Sequence, residues 1–414
     1  MIAAAESAHP AGADQAGVVH VTTVPGTLYF LCGQASFMRR AGFSLHAISS
    51  PGPDLGASLS AFGDQERIPV HAVEMMRRIT PLRDLIALWR LWRVLARVRP
   101  AIVDAHTPKA GLLGMLAASL AGTPVRVYHM HGLPFVTASG WRKQLLRWTE
   151  RISCQLAHRV LAVSHSVRTV AVSEGLCAPE KVEVLLGGSV NAVDTVGRFK
   201  PLGEPVRRRA RTERGIPPDA IVIGFVGRLA RDKGIVELAG AWRQLRRDRR
   251  LHLLLVGPDD ATDVVPADVV ADLRADPHVH FTGLEPETPR LYEAMDVLAL
   301  PTYREGFPQV ALEAAAMGLP VVATSVPGCV DAVHDGVTGT LVPPRDVGSL
   351  ADALRRYVSD PSLRARHGEA GRRRVVVEFR QEVMWEALAA EYRRLLANRW
   401  GHPARHVRLR APIG

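Results

Sequence analysis

Short β-branched apolar runs alternate with helix-like stretches along almost the whole chain. In the first half these runs are VVHVTTV, FSLHAIS, IPVHAV, AIVDAH, VRVYHMH, RVLAVS and KVEVLL, and helical patterns such as LRDLIALWRLWRVLARV separate them. Several of the runs are apolar almost throughout, which is typical of strands that helices cover on both faces. The pattern therefore predicts a parallel sheet built from βα units.

A second series of the same kind follows a pause. Between residues 191 and 219 the sequence is rich in Pro, Gly and Arg, which indicates a linker with one short basic helix. The runs AIVIGFVG, LHLLLVG, VHFTG, DVLALP, PVVATS and TGTLVPP come next, again with helical patterns between them. We therefore expect an α/β protein with two doubly wound Rossmann-like domains. The 414 residues suffice for both, since a single core stops growing at roughly 250 to 300 residues.

The same pattern sets the expected boundaries. The N-terminal domain covers residues 18–195, the linker 196–219, the C-terminal domain 220–379, and a last helix without a following strand 380–400. Residues 1–17 lack the cationic start and apolar run of a secretory signal, and residues 401–414 are basic and rich in turn formers. We expect both ends to be flexible.

Composition excludes several classes of protein. Hydrophobic residues make up 47% of the chain and charged residues 22%, which is typical of a globular protein. The longest stretch of small and apolar residues, AGLLGMLAASLAG, is shorter than the roughly 20 apolar residues of a membrane-spanning helix. The four cysteines, Cys32, Cys154, Cys177 and Cys329, show no metal-ligand spacing. We therefore expect a cytoplasmic protein without a transmembrane segment.

The formal net charge of +11 is concentrated in the first half, where residues 1–200 hold 21 Lys and Arg against 13 Asp and Glu. Two helical stretches there combine basic residues with tryptophans. Their large apolar residues are Leu82, Leu85, Ile86, Trp89 and Leu95, expected near one face of the first helix, and Trp141 and Trp148 of the second. Such helices can bind the inner, anionic face of the cell membrane, or they can be core helices with a solvated basic face.

The stretch YREGFPQVALEAAAMGLPVVAT carries two carboxylates, Glu305 and Glu313, around the start of an apolar helix. Loops that lead from strands into helix N-termini bind ligands in open parallel sheets. Glu305 is expected in such a loop, and Glu313 lies on the order of 10 Å further along the helix at ~1.5 Å rise per residue. We expect one carboxylate to hold the sugar hydroxyls of a nucleotide diphosphate sugar and the other its ribose hydroxyls.

The diphosphate of that ligand would lie between the two carboxylates. Arg228 and Lys233 stand five apart in the loop GRLARDKG and can neutralise it. The helix N-terminus adds backbone N–H groups, and Gly306 lets that backbone approach closely. No Asp-x-Asp pair follows a strand, and the two cations can carry the charge that a magnesium ion would otherwise neutralise. We therefore expect neither a metal nor a cofactor.

Together these motifs resemble the family 4 retaining glycosyltransferases of GT-B architecture. The stretches HTPKAGLLGMLAASLAG and HMHGLPF also resemble the branch that builds capsular and other surface polysaccharides on lipid-linked sugars. The resemblance implies two domains facing a cleft, with the last helix crossing back to the N-terminal domain. It further implies transfer of a hexose or N-acetylhexosamine from a UDP-linked donor to a surface-polysaccharide or lipid-linked acceptor, with retained anomeric configuration.

The resemblance also implies roles for single residues. Arg228 and Lys233 would neutralise the leaving diphosphate, while Glu305 would contact the donor sugar and Glu313 the ribose. His131 matches the family histidine near the reacting centre. Further donor-binding positions matched by the motifs are Gly33, Gly227, Gly306 and Phe307. One departure concerns the loop after the last strand of the first half, where Ala192 replaces the usual glycine of Asn-Gly-Val-Asp.

Several alternatives stay open. Arg228 and Lys233 could form an ordinary solvated turn, His131 could pack in the sheet, and Gly33 could be a helix-packing glycine. The basic charge also fits a nucleic-acid-binding protein, although the sequence contains no nucleic-acid-binding motif, and salt-dependent DNA binding would reveal one. A nucleotide-sugar epimerase would share the fold. Release of nucleotide diphosphate only when an acceptor is supplied would distinguish transfer from epimerisation.

Overall fold

The computed structural model describes residues 15–52 and 58–400. The ends that we expect to be flexible, residues 1–17 and 401–414, lie outside the described residues apart from residues 15–17. The first strand begins there, at Ala16, two residues before the expected start of the N-terminal domain.

The N-terminal domain is built on a seven-stranded parallel sheet with the order β3-β2-β1-β4-β5-β6-β7. The strands are β1 (Ala16–Val21), β2 (Phe43–Ser49), β3 (Val70–Ala72), β4 (Ile102–His106), β5 (Val125–Met130), β6 (Arg159–Ala162) and β7 (Val182–Glu183). The central strands are buried along most of their length, as their apolar sequences predict. Because the strand order reverses between β1 and β4, the loops after these two strands diverge and form a crevice.

Helices cover both faces of this sheet. They are α1 (Pro25–Leu28), α2 (Gln34–Arg40), α3 (Leu59–Glu66), α4 (Pro81–Val98), α5 (Pro108–Leu120), α6 (Gly140–Leu156) and α7 (His165–Ser173). Serine side chains accept hydrogen bonds from free N–H groups at two helix starts, Ser58 at α3 and Ser164 at α7. Proline begins α4 and α5, where its missing N–H costs nothing.

The C-terminal domain repeats the architecture with a six-stranded parallel sheet of order β10-β9-β8-β11-β12-β13. Its strands are β8 (Ile221–Val226), β9 (Leu251–Val256), β10 (Val279–Gly283), β11 (Val297–Leu300), β12 (Val321–Thr324) and β13 (Gly339–Val342). Here the order reverses between β8 and β11. The prediction of two doubly wound parallel domains is confirmed.

The remaining helices belong to the second half of the chain. They are α8 (Glu204–Thr212), α9 (Ile235–Leu245), α10 (Ala267–Ala275), α11 (Thr288–Ala294), α12 (Gln309–Ala316), α13 (Cys329–Ala332), α14 (Val347–Ser359), α15 (Pro361–Glu378) and α16 (Gln381–Trp400). The linker helix α8 is bound to the C-terminal domain, because Arg207 and Arg211 form ion pairs of 2.7 and 2.8 Å with Asp296.

Helix α16 crosses back to the N-terminal domain. Its Leu388 and Tyr392 lie in the same buried cluster as Phe43 of β2. The Tyr392 hydroxyl donates a 2.6 Å hydrogen bond to Asp104 Oδ2 on β4, and Trp385 Nε1 donates one of 2.6 Å to Asn191 Oδ1. The last helix therefore joins the two domains through buried contacts.

Helix α4 contradicts one sequence expectation. Leu95 is only 1% exposed and packs toward the core with Ala87 and Leu91. The grouping of Leu95 with the residues of the other face was therefore wrong, because the helix carries apolar stripes on opposite sides. Within residues 15–52 and 58–400 no helix is both long and apolar enough to cross a membrane.

Candidate active site

The predicted site residues of the C-terminal domain lie where its strand order reverses. Arg228 follows β8, and Glu305 follows the neighbouring strand β11. In the N-terminal sheet, His106 ends β4, one of the two strands at the reversal, and His131 follows the neighbouring strand β5. Crevices at such reversals are where open α/β sheets bind ligands.

The loop after β8 is packed against the loop after β11. Gly234 is in a left-handed conformation with φ of 75°, and a Cβ atom there would overlap the Pro301 carbonyl. The Asp232 carbonyl accepts hydrogen bonds from Tyr303 N (2.8 Å) and Thr302 Oγ1 (3.1 Å). This close packing sets Lys233 beside Glu305, with Nζ and Oε1 2.5 Å apart.

Each of the two predicted phosphate-binding cations has an acidic partner. Lys233 pairs with Glu305, and Arg228 pairs with Asp260, a residue that the sequence pattern did not single out. Lys233 and Arg228 are 20% and 27% exposed, so both are reachable from solvent. A bound diphosphate would exchange these carboxylate partners for phosphate oxygens.

Backbone of the two domains meets at Glu305. A Cβ atom on Gly306 would overlap the carbonyl oxygen of His131, and one on Gly132 would lie 3.4 Å from Gly306 N. A Cβ atom on Gly328 would in turn overlap the Gly306 carbonyl. The structure therefore brings Glu305 and Gly306 next to His131, and the close approach of the two backbones depends on the missing side chains of Gly132 and Gly306.

Glu313 lies apart from this contact, in the second turn of α12. Its Oε2 accepts a 2.7 Å hydrogen bond from the hydroxyl of Tyr292, a fully buried residue of α11. Burial raises the pKa of Glu313 above its usual range, against the opposing effect of the Tyr292 hydrogen bond. The two carboxylates thus occupy different environments: one is ion-paired and the other is hydrogen-bonded to a phenol.

Three predicted glycine and aromatic positions have clear packing contacts. Gly33 has φ of 83°, and a Cβ atom there would lie 3.1 Å from the Trp385 ring of α16. Gly227 follows β8 directly, and its N–H donates a hydrogen bond to Val256 O. Phe307 packs against Phe379 with ring centroids 5.5 Å apart. The contacts of Gly33 and Phe307 thus match a packing role, which for Gly33 was the alternative left open by the sequence.

Histidines surround His131 on the N-terminal side. His131 Nε2 lies 2.8 Å from His106 Nδ1, and His129 Nδ1 lies 3.5 Å from Asp104 Oδ2. Burial, followed by the charge of neighbouring His129, lowers the pKa of His131 to about 3, so its ring is neutral at pH 7. The sequence analysis singled out His131 alone among these histidines; the strand register brings His106 opposite His129.

Ring nitrogens of His106, His129 and His131 lie within 4.8 Å of one another, close enough in principle to share a metal ion. The 2.8 Å separation of His106 and His131 is shorter than the roughly 3.3 Å between two ligand nitrogens on a tetrahedral zinc with bonds of ~2.0–2.1 Å. A direct hydrogen bond accounts for that separation.

Several residues that join the domains escaped the sequence analysis. Asp331 of α13 accepts hydrogen bonds from both the backbone and the hydroxyl of Ser166, whose Oγ also accepts from Gly328 N at 2.7 Å. Gln309 at the start of α12 accepts from Ser189 Oγ at 2.8 Å and donates to Ala192 O at 3.1 Å. No local sequence pattern indicates these contacts, because the partners are more than a hundred residues apart in the chain.

Two family models match the chain. Residues 10–188 match the glycosyl transferase 4-like domain, and residues 220–360 match glycosyl transferases group 1. The capsular polysaccharide biosynthesis glycosyltransferase CapM of Staphylococcus aureus is 30% identical over 380 residues, which cover 92% of this chain and 97% of CapM. The UDP-Gal:alpha-D-GlcNAc-diphosphoundecaprenol alpha-1,3-galactosyltransferase of Escherichia coli is 26% identical, covering 70% of this chain and 74% of that enzyme.

Solved structures show the same fold. The Anabaena protein HepE, in complex with UDP and glucose, superposes with a TM-score of 0.75 at 21% identity, covering 91% of this chain and 99% of HepE. Sucrose-phosphate synthase from Thermosynechococcus elongatus gives a TM-score of 0.77 at 21% identity, covering 93% and 100% of the two chains. At this identity the likeness concerns the fold alone.

Proposed function

This chain belongs to the group 1 glycosyltransferases, and from that premise we propose that it moves a hexose or N-acetylhexosamine from a UDP-linked sugar to a lipid-linked or surface-polysaccharide acceptor. It is a hexosyltransferase. The observation that carries the proposed donor site is the Lys233–Glu305 pair in the loops after β8 and β11, because the Glu305–Gly306 backbone lies against the His131–Gly132 backbone of the N-terminal domain.

Each side chain has a task in that site. Lys233 and Arg228 neutralise the diphosphate as it leaves, which stabilises the charge that develops in the transition state. Glu305 gives up its ion pair with Lys233 and accepts hydrogen bonds from hydroxyl groups of the donor sugar. Glu313, together with Tyr292, binds the ribose. The N–H groups at the start of α12 add to the binding of the diphosphate.

We further propose retention of the anomeric configuration. The acceptor hydroxyl attacks from the face that the diphosphate leaves, and the leaving phosphate oxygen takes the hydroxyl proton. We propose that this step needs no metal ion, because Arg228 and Lys233 neutralise the leaving diphosphate.

The names of the relatives support the acceptor class. The S. aureus relative acts in capsular polysaccharide biosynthesis, and the name of the E. coli relative specifies a UDP-galactose donor and a diphosphoundecaprenol acceptor. An acceptor of that kind resides in the membrane. We therefore propose that the enzyme works at the cytoplasmic face of the membrane, which it reaches by surface contact.

Helices α4 and α6 supply a surface for that contact. Leu82 and Trp89 of α4 are 79% and 51% exposed, and Trp141 and Trp148 of α6 are 76% and 65% exposed. The Arg93 guanidinium lies 4.7 Å above the Trp89 ring. Exposed tryptophans flanked by arginines are suited to the interface of an anionic bilayer.

A donor screen tests the proposal. Purified enzyme is incubated with UDP- and GDP-sugars, with and without an undecaprenyl-diphosphate-sugar acceptor, and release of nucleotide and the anomeric configuration of the product are measured. We expect release of UDP only with acceptor, an α-linked product from an α-linked donor, and no loss of activity with EDTA. Conversion of the sugar without acceptor would indicate an epimerase, and activity that EDTA abolishes and magnesium restores would refute the metal-free step.

A further inference from the structure

Three histidines form a continuous hydrogen-bonded chain that ends at the reacting centre. His131 Nε2 lies 2.8 Å from His106 Nδ1, and His106 Nε2 lies 3.0 Å from His20 Nδ1. His20 and His106 are buried, on the adjacent strands β1 and β4. Among the described residues, Nδ1 of His131 has no hydrogen-bond partner, which leaves it for a ligand.

The three tautomers in such a chain depend on one another. A neutral imidazole carries one N–H and one acceptor nitrogen, so each hydrogen bond sets the tautomer of the next ring. If His131 carries its proton on Nε2, then His106 and His20 do so as well, and His131 Nδ1 is an acceptor. With the opposite polarity every ring carries its proton on Nδ1, and His131 becomes a donor toward the cleft.

Asp104 favours the first polarity. Its Oδ1 lies 3.7 Å from His106 Nε2 and accepts no hydrogen bond from the described residues, while Oδ2 accepts one from Tyr392. Burial raises the pKa of Asp104, but the neighbouring His106 and His129 together lower it further, so its pKa lies below the usual range. The carboxylate is therefore charged, and it attracts a proton on the facing nitrogen of His106.

The other end of the chain opens on a small cavity of about 10 Å³, lined by His20, Gln34 and Glu66 with apolar neighbours. His20 Nε2 and both polar atoms of the Gln34 side chain are buried without a hydrogen-bond partner among the described residues. Glu66 is already engaged by the N–H groups of Gly33 and Ala35. Such a cavity has room for one water, which can accept from His20 and donate to Gln34 Oε1.

We propose that Asp104 and a water held by Gln34 fix the polarity of this chain, so that His131 presents an unprotonated Nδ1 to the cleft. That nitrogen accepts a hydrogen bond from a hydroxyl of the donor sugar. His106, His20 and Gln34 are positioning residues, because they act on the reacting centre only through His131. The inference rests on the proposed place of His131 beside the donor.

Substitution of His106 tests the chain from the middle. The carboxamide of Asn reaches the place of Nδ1, where its oxygen can accept a hydrogen bond from His131 Nε2, and the carboxamide of Gln reaches the place of Nε2. His106→Asn thus keeps a partner for His131, and His106→Gln keeps only the link to His20. We expect kcat to fall about tenfold in His106→Gln, the effect of one lost buried hydrogen bond, and much less in His106→Asn, with KM for the donor nearly unchanged in both.

Gln34→Met tests the far end, since it keeps the side-chain length and removes both polar atoms. We expect a loss in kcat like that of His106→Gln and a shift of the acid limb of the kcat pH profile. Gln34 would cause both effects although it is linked to His131 only through His20 and His106. The matched control is His46→Asn, because His46 Nδ1 and His71 Nε2 form a similar 3.2 Å pair on β2 and β3 that does not reach the cleft. This variant should keep the kcat and pH profile of the wild type.

NMR of protein labelled with ¹⁵N-histidine reads the tautomers without any turnover. We expect His20, His106 and His131 to carry their protons on Nε2 at pH 7, and His131 to lose this preference in Gln34→Met. An Nδ1-protonated or mixed His131 in the wild type, or one metal ion per chain that His106→Asn removes, would overturn the inference. Loss of activity in His131→Ala tests the proposed function separately, because the tautomers do not depend on the reaction.

Discussion

At the scale of single residues, the proposed site contains two carboxylates in different environments. Glu305 is ion-paired with Lys233, so in the proposed mechanism a donor that binds Lys233 would release this carboxylate for sugar hydroxyls. Glu313 is held by the phenol of Tyr292 inside the C-terminal domain, where it can accept hydrogen bonds from a ribose without entering the contact between the domains.

The two functions can be separated by matched substitutions. Glu305→Gln should lower kcat while UDP binds as in the wild type, because UDP lacks the sugar that Glu305 contacts. Glu313→Gln should weaken UDP itself by about tenfold or more, since a charge-assisted hydrogen bond contributes ~1.5 to 3 kcal/mol. Calorimetric titration with UDP and initial rates with the UDP-sugar measure both effects. Equal loss of UDP binding in the two variants would refute this division.

A third carboxyl, remote from the site, gives the fold a pH dependence. Glu150 of α6 is 2% exposed and accepts a 2.7 Å hydrogen bond from Tyr128, and burial raises its pKa to about 7 against the opposing effect of that bond. Because the folded pKa exceeds the unfolded one, the native state binds the proton more tightly. This stabilisation is complete below about pH 4.5 and is lost as the pH rises through about 7.

Glu150→Gln should remove that dependence. The variant and the wild type should have similar stability at pH 5, and the wild type should lose on the order of 3 kcal/mol more than the variant between pH 5 and pH 8. Chemical unfolding at several pH values measures the difference, and Glu386→Gln, an exposed position on α16, is the control. Parallel stability curves for the wild type and Glu150→Gln would show that Glu150 ionises freely in the folded protein.

At the scale of elements, the sequence predicted the strands and helices well because their signals are local. Alternating apolar runs and helical periodicity need no knowledge of the rest of the chain. Helix α4 shows where this ends: Leu95 and Leu82 both read as apolar positions, yet one is buried and the other is 79% exposed. Periodicity shows that a helix has an apolar stripe, but only the packed neighbours decide which stripe of a two-stripe helix faces the core.

The exposed stripe of α4 leads to a prediction about membranes. Each arginine near an anionic surface contributes about 1 kcal/mol, so joint replacement of Arg90, Arg93 and Arg97 by Gln should weaken binding to phosphatidylglycerol vesicles by roughly two orders of magnitude. Replacement of Leu82 and Trp89 by Ser should also weaken vesicle binding. The binding that remains should then depend more on salt concentration than on lipid packing. Transfer from the UDP-sugar to a water-soluble acceptor should stay nearly intact in both variants.

Sedimentation with vesicles at low and high salt measures this binding. Val377→Ser on α15 is the matched control, because Val377 is 74% exposed on the C-terminal domain and should not contact the bilayer. A wild-type protein that stays in the supernatant with anionic vesicles at low salt would make the arginines of α4 an ordinary solvated face. The screening length of about 10 Å at ~0.1 M salt makes low salt the sharper condition.

At the scale of the whole molecule, the domains meet through backbone at two glycines, Gly132 and Gly306, and through side chains that are far apart in sequence. Glu305 could be identified from its motif, but its contact with the His131–Gly132 backbone could not, since nothing local encodes the distance between two domains. The same holds for Asp331 with Ser166 and for Asp104 with Tyr392. The sequence therefore identifies the loops that we propose carry the chemistry, and the structure adds how closely they approach.

Gly306→Ala should separate that approach from the chemistry of either domain. Gly306 is not in the left-handed region, so alanine fits its own loop without backbone strain, and its Cβ atom would overlap the His131 carbonyl and lie 3.1 Å from Gly132 N, both in the other domain. Overpacking of this kind costs typically 1 to 3 kcal/mol. We therefore expect the population in which Gly306 contacts the His131 carbonyl to fall about tenfold or more, and kcat to fall with it. The melting temperature should change little, while small-angle X-ray scattering should show a larger radius of gyration.

Gly348→Ala is the control for this prediction, because its Cβ atom would lie 3.5 Å from the nearest atom. A fully active Gly306→Ala with the scattering profile of the wild type would show that turnover does not require the contact between Gly306 and the His131 carbonyl.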